Sequence, residues 1–364
     1  MSEIAILLPD LRFGGAERVN LDLAYEFTRS GHSVELVLRR AQGELLDEAR
    51  REFKVTSLGC DRVRQVPVAL ARYLRKRRPD GLIAALWPLT TLAPVIAKIA
   101  SPKTHTLVAE HGMLSVQYES WGMVHRLAMH ASTAMGYRLA DALVGVSQGV
   151  ADDMATLANL GRGRVSVIGN PVPPPREPSE EALRQVDSLW GVPRGSRILS
   201  VGRLKPVKNH ALLLQALVHC KRPNARIMLV GSGECEAALR ALTIRLGLND
   251  RIIFAGFQPD PSPFYRTADV LAVSSNHEGF GNVIVEALAC GVPVVSTDCP
   301  SGPSEILANG QFGFLVPVDH AKLMAEAFEH VLGQPKDPDR LKTRAGLYAP
   351  KYAAEQYLSL LNLR

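Results

Sequence analysis

The 364-residue sequence is poor in cysteine and lacks the motifs that mark common metal and dinucleotide sites. Its cysteines are scattered, with no CxxC pair and no Cys/His cluster: Cys60, Cys220, Cys235, Cys290 and Cys299. This excludes a zinc-finger type of site and a disulfide framework, and it favours a reducing cytoplasm. No GxGxxG turn is present, which argues against an NAD enzyme, and no DxD-like motif lies at a suitable turn. We therefore expect neither a bound metal nor a cofactor.

Long apolar runs are also scarce. The stretch that looks most like a membrane span, Gly81 to Ala97, is uncharged over 17 residues but contains Pro88 and Pro94. It is short for a span, so we interpret it as a buried strand followed by a helix that a proline begins. The first apolar run, Ile4 to Leu8, lacks the basic flank and cleavage site of a signal peptide and is interpreted as a first strand.

What is present fits a globular protein of two domains. Hydrophobic residues make up 46% and charged residues 21%, and the length allows two separate cores. The net charge is +6. That excess is too small to indicate a nucleic-acid partner, and none is expected.

Short apolar runs alternate with longer amphipathic ones, a pattern that predicts an α/β fold with parallel sheets covered on both faces. The proline-rich segment Pro171 to Pro178 separates two such sets, and we place the boundary there, between residues 1–172 and 173–349. The predicted strands are Ile4–Leu8, Ser33–Leu38, Lys54–Ser57, Gly81–Leu86, Thr104–Ala109, Ala142–Val146, Val165–Ile168, Arg197–Val201, Arg226–Val230, Ile252–Phe254, Val270–Val273, Val292–Thr297 and Gly313–Val316.

A last helix is predicted within residues 350–364. Its apolar residues need a surface to cover. These are Tyr352, Tyr357, Leu358, Leu360, Leu361 and Leu363.

The most informative stretch runs from Val270 to Leu307 and predicts strand, loop, helix and strand. Glu278 lies in the loop, and Glu286 lies on the helix eight positions later. Both carboxylates are therefore expected near one helix N-terminus. The helix is expected to end before Gly291.

That arrangement suits a nucleotide sugar. Backbone N–H groups at the helix start can hold a phosphate, and Glu286 can accept two hydrogen bonds from ribose hydroxyls. Glu278 would face the hydroxyls of the sugar, while glycines let the backbone approach closely. The alternative is a solvated loop carboxylate and the polar edge of an amphipathic helix. The predicted donor-binding residues of this stretch are Glu278, Gly279, Phe280, Gly281, Asn282, Val283 and Glu286.

Three other turns could contribute chemistry. Gly14 and Gly15 follow the first strand and open a helix, where the backbone could close over a phosphate or sugar. Arg203 and Lys208 follow the first strand of the second domain and suit a diphosphate, although surface basic residues would look the same. His111 follows a strand of the first domain; a lone histidine is usually structural or exposed, but this position favours a ligand site.

The stretch NHEGFGNVIVEALACGVPVVST, with Glu278 and Glu286, resembles the signature of the family 4 retaining glycosyltransferases. The resemblance implies the GT-B fold, with two Rossmann-like parallel-sheet domains facing across a cleft. It places the acceptor in residues 1–172, the donor in residues 173–349, and the helix of residues 350–364 back on the first domain.

The same resemblance assigns roles to the candidate residues. Glu278 would contact the donor sugar, Glu286 the ribose, and the intervening N–H groups the distal phosphate. Arg203 and Lys208 would hold the diphosphate. The resemblance further implies that Gly14 and Gly15 cap the donor across the cleft, and that His111 positions the sugar and relays a proton. His111, Glu278, Arg203 and Lys208 are the predicted catalytic residues, and they are expected to converge with Glu286 on one pocket.

We therefore expect a retaining glycosyltransferase that moves a sugar from a UDP-linked donor to a hydroxyl. The segment Cys299 to Leu307 resembles transferases of bacterial surface-glycan assembly, which suggests a glycan or lipid-linked saccharide as acceptor. Two alternatives stay open: another enzyme of the same fold, such as a nucleotide-sugar epimerase, and a non-catalytic module that binds nucleotide sugars.

Two segments bear on further partners. Arg62 to Arg78 reads as a basic amphipathic helix, which predicts contact with anionic lipid on the inner face of the cell membrane. A solvated surface helix is the alternative. Gly112 to Arg138 combines Trp121 with several methionines and few charges, as an acceptor groove or interface would. Ordinary core packing explains it equally well.

Overall fold

The computed structural model describes residues 1–12 and 14–363. Contacts divide the chain into two compact units. Unit 1 comprises Met1–Pro173 and Tyr348–Arg364, and unit 2 comprises Pro174–Leu347. Each unit is described by itself below.

Unit 1 contains a parallel sheet with the strand order β3-β2-β1-β4-β5-β6-β7. Its strands are β1 (Glu3–Leu8), β2 (Ser33–Leu38), β3 (Lys54–Ser57), β4 (Gly81–Ala85), β5 (His105–Glu110), β6 (Ala142–Gly145) and β7 (Ser166–Val167). Its helices are α1 (Gly15–Arg29), α2 (Leu46–Glu52), α3 (Val66–Arg77), α4 (Leu89–Ala100), α5 (Leu114–Gln117), α6 (Met123–Leu139), α7 (Gln148–Ala158) and, from the end of the chain, α16 (Pro350–Leu360).

The sheet of unit 1 is covered on both faces. Its central strands are continuously apolar and buried, as is typical of parallel strands between two helix layers. One core contains side chains of α1 and α16, and the other contains side chains of α3 and α4. Helix α16 packs against α1 through Ala353, Ala354, Tyr357 and Leu358, which are buried.

Unit 2 contains a second parallel sheet, with the order β10-β9-β8-β11-β12-β13. Its strands are β8 (Arg197–Val201), β9 (Arg226–Val230), β10 (Ile252–Gly256), β11 (Val270–Val273), β12 (Val294–Thr297) and β13 (Phe314–Val316). Its helices are α8 (Glu180–Trp190), α9 (His210–His219), α10 (Glu236–Arg245), α11 (Ser262–Thr267), α12 (Asn282–Ala289), α13 (Pro303–Ile306), α14 (Ala321–Gly333) and α15 (Pro338–Gly346).

The two Rossmann-like sheets confirm the predicted α/β fold class, and every predicted strand is present with small shifts at its ends. In unit 2 the chain order reverses between neighbouring strands β8 and β11. Ligands of open α/β sheets bind outside the carboxyl ends of the strands at such a point. The turn after β8 carries Arg203 and Lys208, and the loop after β11 carries Glu278. The topology therefore brings the predicted turns of unit 2 to one place.

One detail differs from the sequence predictions. Tyr352 is exposed because it lies on the solvent side of α16, so its assignment to the covered face is wrong. The strand and proline-begun helix predicted for Gly81 to Ala97 are present, since β4 is followed by α4, whose N-cap is Pro88 and which buries Pro94 in its interior. Within the described residues, no helix is long and apolar enough to cross a membrane.

Candidate functional site

An ion pair between Lys208 and Glu278 forms the centre of the candidate site in unit 2. Lys208 Nζ lies 2.6 Å from Glu278 Oε1, and Ser275 Oγ donates to the same oxygen at 2.6 Å. The Glu278 side chain is 10% exposed and that of Lys208 is 27% exposed. No described residue donates a hydrogen bond to Glu278 Oε2. One carboxylate oxygen thus orients the ammonium group, and the other can accept from a ligand.

Backbone contacts hold the two turns together. Ser274 Oγ donates to the carbonyl oxygen of Lys208 at 2.7 Å, and the Asn276 N–H donates to that of Val207 at 2.8 Å. Asn209, which follows Lys208, has a φ of 44° and donates through its side chain to Asn276 and Asp319. Hydrogen bonds between the two turns therefore fix the backbone from which the Lys208 side chain extends.

Three neutral side chains lie near this ion pair, and two of them, His210 and Cys299, are buried. Burial lowers the pKa of His210 to about 4, and the positive charge of Lys208 lowers it further. Burial likewise lowers the pKa of His277. Burial and the negative charge of Glu278 raise the pKa of Cys299 to about 12, so this cysteine is a thiol at neutral pH. These neighbours therefore add no charge that would oppose the effect of Lys208 on an anion, and the partial burial of the pair strengthens that effect.

The second predicted carboxylate, Glu286, lies in the middle of α12 and is held by a tyrosine. Tyr265, which is 1% exposed, donates from its hydroxyl to Glu286 Oε2 at 2.7 Å. Burial and the charge of Glu286 raise the pKa of Tyr265 well above its usual value, so the phenol keeps its proton. Glu286 is thereby fixed as a hydrogen-bond acceptor, as a ribose contact requires.

The start of α12 is shaped by two glycines. Gly281 is the N-cap with a φ of 108°, a conformation that favours glycine. Gly302 packs closely on Phe280, the residue before Gly281. A Cβ at position 302 would lie 1.9 Å from the Phe280 carbonyl oxygen. The N–H groups of Gly281 and Val283 have no acceptor within the helix, since they belong to its first turn. These N–H groups form the positive end of the helix dipole. In the sequence they lie between Glu278 and Glu286.

Arg203, unlike Lys208, has no partner that fixes its side chain among the described residues. Its side chain is exposed, and it forms no ion pair or side-chain hydrogen bond with the described residues. Lys205, between them, is exposed as well. The structure therefore brings Lys208 to Glu278 but leaves Arg203 at the surface of the same turn, so its assignment to the diphosphate stays a prediction.

In unit 1, His111 follows β5 and lies beside α1. Its Nε2 is 3.4 Å from Nδ2 of Asn20, which is buried and also donates to the Ala16 carbonyl oxygen at 2.8 Å. Burial lowers the pKa of His111 to about 4, and Asn170 opposes this effect. Next to it, burial raises the pKa of Glu110 to about 7, although Tyr137 donates to this carboxylate at 2.7 Å. His111 is thus a neutral imidazole at neutral pH.

We expect the His111 ring to remain neutral down to pH 5.5. Its folded pKa is depressed below the ordinary value of 6.5, so the unfolded chain takes up the proton first as the pH falls. A ring-carbon NMR titration, assigned by comparison with His111→Gln, would measure this directly. A midpoint near 6.5 would contradict the buried setting and would favour the predicted proton relay.

The diglycine turn of unit 1 also lies at a helix start. Gly14 is the N-cap of α1 in an extended conformation, and Gly15 is the first residue of the helix. Arg18, in the next turn, is used internally, because it pairs with Asp22 and Glu48 at 2.8 Å each. The contact of Gly14 and Gly15 with a donor stays a prediction.

Two other features of the described part of the chain, its acidic, histidine and cysteine side chains and a cavity in unit 2, do not form a site. No group of three or more His, Cys, Asp or Glu side chains there is arranged to hold a metal ion. A cavity of about 500 Å³ lies between α8 and α11 in unit 2, and none of the residues that line it is a predicted site residue. Its guanidinium groups already pair with acids, as Arg266 does with Glu177 and Arg184 with Glu180. We assign it no role.

Sequence reasoning missed the residues that support the site. Ser275 precedes Glu278 by only three positions, and its place in the same loop was a usable signal. Tyr265 and Asn20 gave no such signal, because they are 21 and 91 positions from their partners Glu286 and His111. His210 follows Lys208 closely but reads as an ordinary start of a helix.

Comparisons with known proteins agree with this geometry. A family model described as "Glycosyl transferases group 1" matches residues 193–347, and one described as "Glycosyltransferase Family 4" matches residues 13–176. A lipopolysaccharide core biosynthesis glycosyltransferase of Rhizobium meliloti is 27% identical, with 96% of each chain covered. A diphospho-undecaprenol 4-alpha-N-acetylgalactosaminyltransferase of Campylobacter jejuni is 26% identical, with 99% of this chain and 100% of the relative covered.

Solved structures show the same fold. The Anabaena protein HepE, crystallised in complex with UDP, superimposes with a TM-score of 0.84 at 20% identity, with all of both chains covered. The lipopolysaccharide outer core galactosyltransferase WaaB gives a TM-score of 0.76 at 18% identity, with 99% of each chain covered. Since the two family models together span most of both units, the chain belongs to the group 1 glycosyltransferases and has their GT-B fold.

Proposed function

We propose that this glycosyltransferase moves a sugar from a UDP-sugar to a hydroxyl of a glycan or lipid-linked saccharide, with retention of configuration. The observation that carries the proposal is the Lys208–Glu278 pair, which lies at the switch point of the sheet in unit 2. An ammonium group fixed in a partly buried site suits a leaving diphosphate.

The names of the relatives support the finer parts of the proposal. The Rhizobium relative is named for lipopolysaccharide core biosynthesis, and the Campylobacter relative is named for an acceptor linked to diphospho-undecaprenol. HepE has been crystallised with UDP-glucose and with UDP and glucose. These names favour a UDP-linked donor and a lipid-linked acceptor in surface-polysaccharide synthesis.

The residues of unit 2 would divide the work as follows. Lys208 and the N–H groups at the start of α12 would stabilise negative charge on the diphosphate, with Arg203 as a second cation. Glu286 would accept hydrogen bonds from the ribose, and Oε2 of Glu278 would accept one from the sugar. The protein contribution would then be positional and electrostatic.

A front-face displacement fits these groups. The bond between the anomeric carbon and the diphosphate oxygen breaks, and its electron pair leaves with UDP. The acceptor oxygen forms the new bond on the same face of the sugar, and its proton passes to an oxygen of the leaving phosphate. No side chain needs to form a covalent bond to the sugar in this scheme.

Incubation with a panel of UDP-sugars and candidate acceptors tests the proposed function. We expect UDP release only when an acceptor is present, and NMR should show the anomeric configuration of the donor in the product. An inverted product would contradict retention. An altered sugar without any acceptor would indicate an epimerase, and nucleotide binding without turnover would indicate a binding module.

Metal independence is a separate prediction. Lys208 and the start of α12 supply positive charge. We therefore expect the same initial rate with about 5 mM EDTA, an excess that chelates divalent metal ions, as with added Mg²⁺. Initial rates of UDP release would measure this. A loss of activity with EDTA that Mg²⁺ or Mn²⁺ restores would contradict the prediction.

Contact with an anionic membrane through Arg62 to Arg78 also remains a proposal. The structure gives it partial support, because Arg72, Arg75 and Lys76 on α3 are exposed. The apolar residues of α3 are mostly used elsewhere, since Val66, Leu70 and Leu74 are buried in unit 1. α3 can thus offer charge to a membrane but little apolar surface.

A further inference from the structure

Helix α6 exposes an unusual amount of apolar side chain. Met123 is 77% exposed, Val124 is 76%, Leu127 is 63% and Met135 is 52%. They recur at helical spacing along one side, with small alanines between them. The opposite side of the helix contributes Met129, Thr133 and Tyr137 to the interior of unit 1. The exposed apolar side chains of α6 are therefore not the ones that pack the helix against unit 1.

The layer of helices that contains α6 carries positively charged residues and no acidic ones. Helix α4 packs against both α3 and α6, so the three helices form one layer of unit 1. Together they contain seven Lys and Arg residues and no Asp or Glu, whereas the whole chain has a net charge of only +6. Five of these cations form no ion pair with a described acid: Arg72, Arg75, Lys76, Arg126 and Arg138.

We propose that the outer side of α6 docks on an anionic lipid bilayer, with the cations of α3 beside it. Stable attachment of a peripheral protein needs two signals, one apolar and one electrostatic. α6 supplies the apolar side chains, and α3 supplies much of the charge that anionic headgroups attract. Exposed Ile99, at the end of α4, adds to the apolar surface of the layer between them.

A second copy of the chain is a less suitable occupant. A two-fold symmetric interface brings the same surface of each copy face to face. With seven cations and no acid on these helices, that pairing would oppose like charges, whereas a bilayer with anionic lipid compensates them.

Vesicle flotation of the full chain, without substrates, tests the proposal. The probes are vesicles of phosphatidylcholine alone and vesicles with 30% phosphatidylglycerol, about the anionic share of many membranes. We expect binding to the anionic vesicles, and we expect high salt to weaken it. The double variant Val124→Ser with Leu127→Ser should bind at least about 10-fold more weakly, because it removes two inserting side chains and no charge.

Matched controls separate α6 from exposed apolar residues elsewhere. Ile244 on α10 of unit 2 is 67% exposed, and Val68 on α3 is 66% exposed. Both exposed fractions are similar to the 63% of Leu127. Ile244→Ser should bind like the wild type, and Val68→Ser should stay within about twofold. Melting temperatures should be unchanged, since all these side chains point to solvent.

Three outcomes would overturn the proposal. The first is equal vesicle binding by the double variant and the wild type, and the second is a wild type that does not prefer anionic vesicles. The third is a wild type that binds no vesicles but sediments as a dimer, when the double variant sediments as a monomer. None of these results depends on sugar transfer, so each leaves the proposed transferase activity standing.

Discussion

Lys208→Met is expected to lower kcat/KM by about 100- to 1000-fold with any donor and acceptor pair that the wild type uses, the range seen on removing one oriented charge-stabilising donor. The ammonium group is fixed 2.6 Å from Glu278, and a mobile cation from solvent would not be held in that orientation. Initial rates of UDP release would measure the effect.

Lys205→Met is the matched control, because Lys205 lies exposed in the same turn. We expect that variant to keep activity within about twofold, since a surface charge is screened by salt. Near wild-type turnover by Lys208→Met would contradict its role. Combining Lys208→Met with Glu278→Gln should cost less than the sum of the single effects, because the two groups share one contact.

The same substitution has a predicted cost in stability. It leaves the Glu278 carboxylate in a mostly buried place with Ser275 as its remaining partner. We expect the free energy of unfolding to fall by about 1–3 kcal/mol, less than for a fully buried pair because Lys208 is partly exposed. Chemical denaturation would measure it, and it allows folding defects to be separated from lost catalysis.

Glu286→Gln is the second change for which a large effect is expected. It should weaken nucleotide binding roughly 10- to 100-fold, because a charged acceptor for the ribose hydroxyls is lost. Tyr265→Phe should have a smaller effect, about 3- to 10-fold, since it keeps the carboxylate and removes only the hydroxyl that orients it. Calorimetric titration with UDP would measure both.

Glu326→Gln, an exposed change on α14, is the control for these variants and should bind UDP like the wild type. Unchanged UDP affinity of Glu286→Gln would show that α12 does not hold the ribose. A Tyr265→Phe effect as large as that of Glu286→Gln would indicate a structural role for the tyrosine, since a positioning contact contributes less than the group it positions.

Much of the fold could be predicted because its signals are local. Parallel strands buried on both faces read as short apolar runs, and this located every strand in both sheets. The end of α12 before Gly291, with its φ of 73°, follows from the preference of glycine for that conformation. Ser147 is the N-cap of α7 and accepts a hydrogen bond from the Val150 N–H, as is typical of serine before a helix.

The candidate site was predictable only in part. The spacing of Glu278 and Glu286 identified the loop and the helix, but it could not show that Glu278 is buried against Lys208, 70 positions away. Burial of Tyr265 beneath Glu286 is likewise set by the packing of α11 and not by any pattern near Glu286.

The surface features were the least predictable. Gly112 to Arg138 had two interpretations, interface and core, and α6 contains both on opposite sides. Composition does not separate them, because methionine and leucine suit either setting. In α3, for which the sequence predicted an amphipathic helix, Val68 is exposed while Val66 and Leu70 are buried.

The most direct test of the central claim compares uridine and UDP as ligands of the wild type, Lys208→Met and Glu286→Gln in calorimetric titrations. If Lys208 holds the diphosphate and Glu286 the ribose, Lys208→Met weakens binding of UDP but not of uridine, whereas Glu286→Gln weakens binding of both. Equal losses for both ligands in Lys208→Met, or none for uridine in Glu286→Gln, would contradict this division of the site.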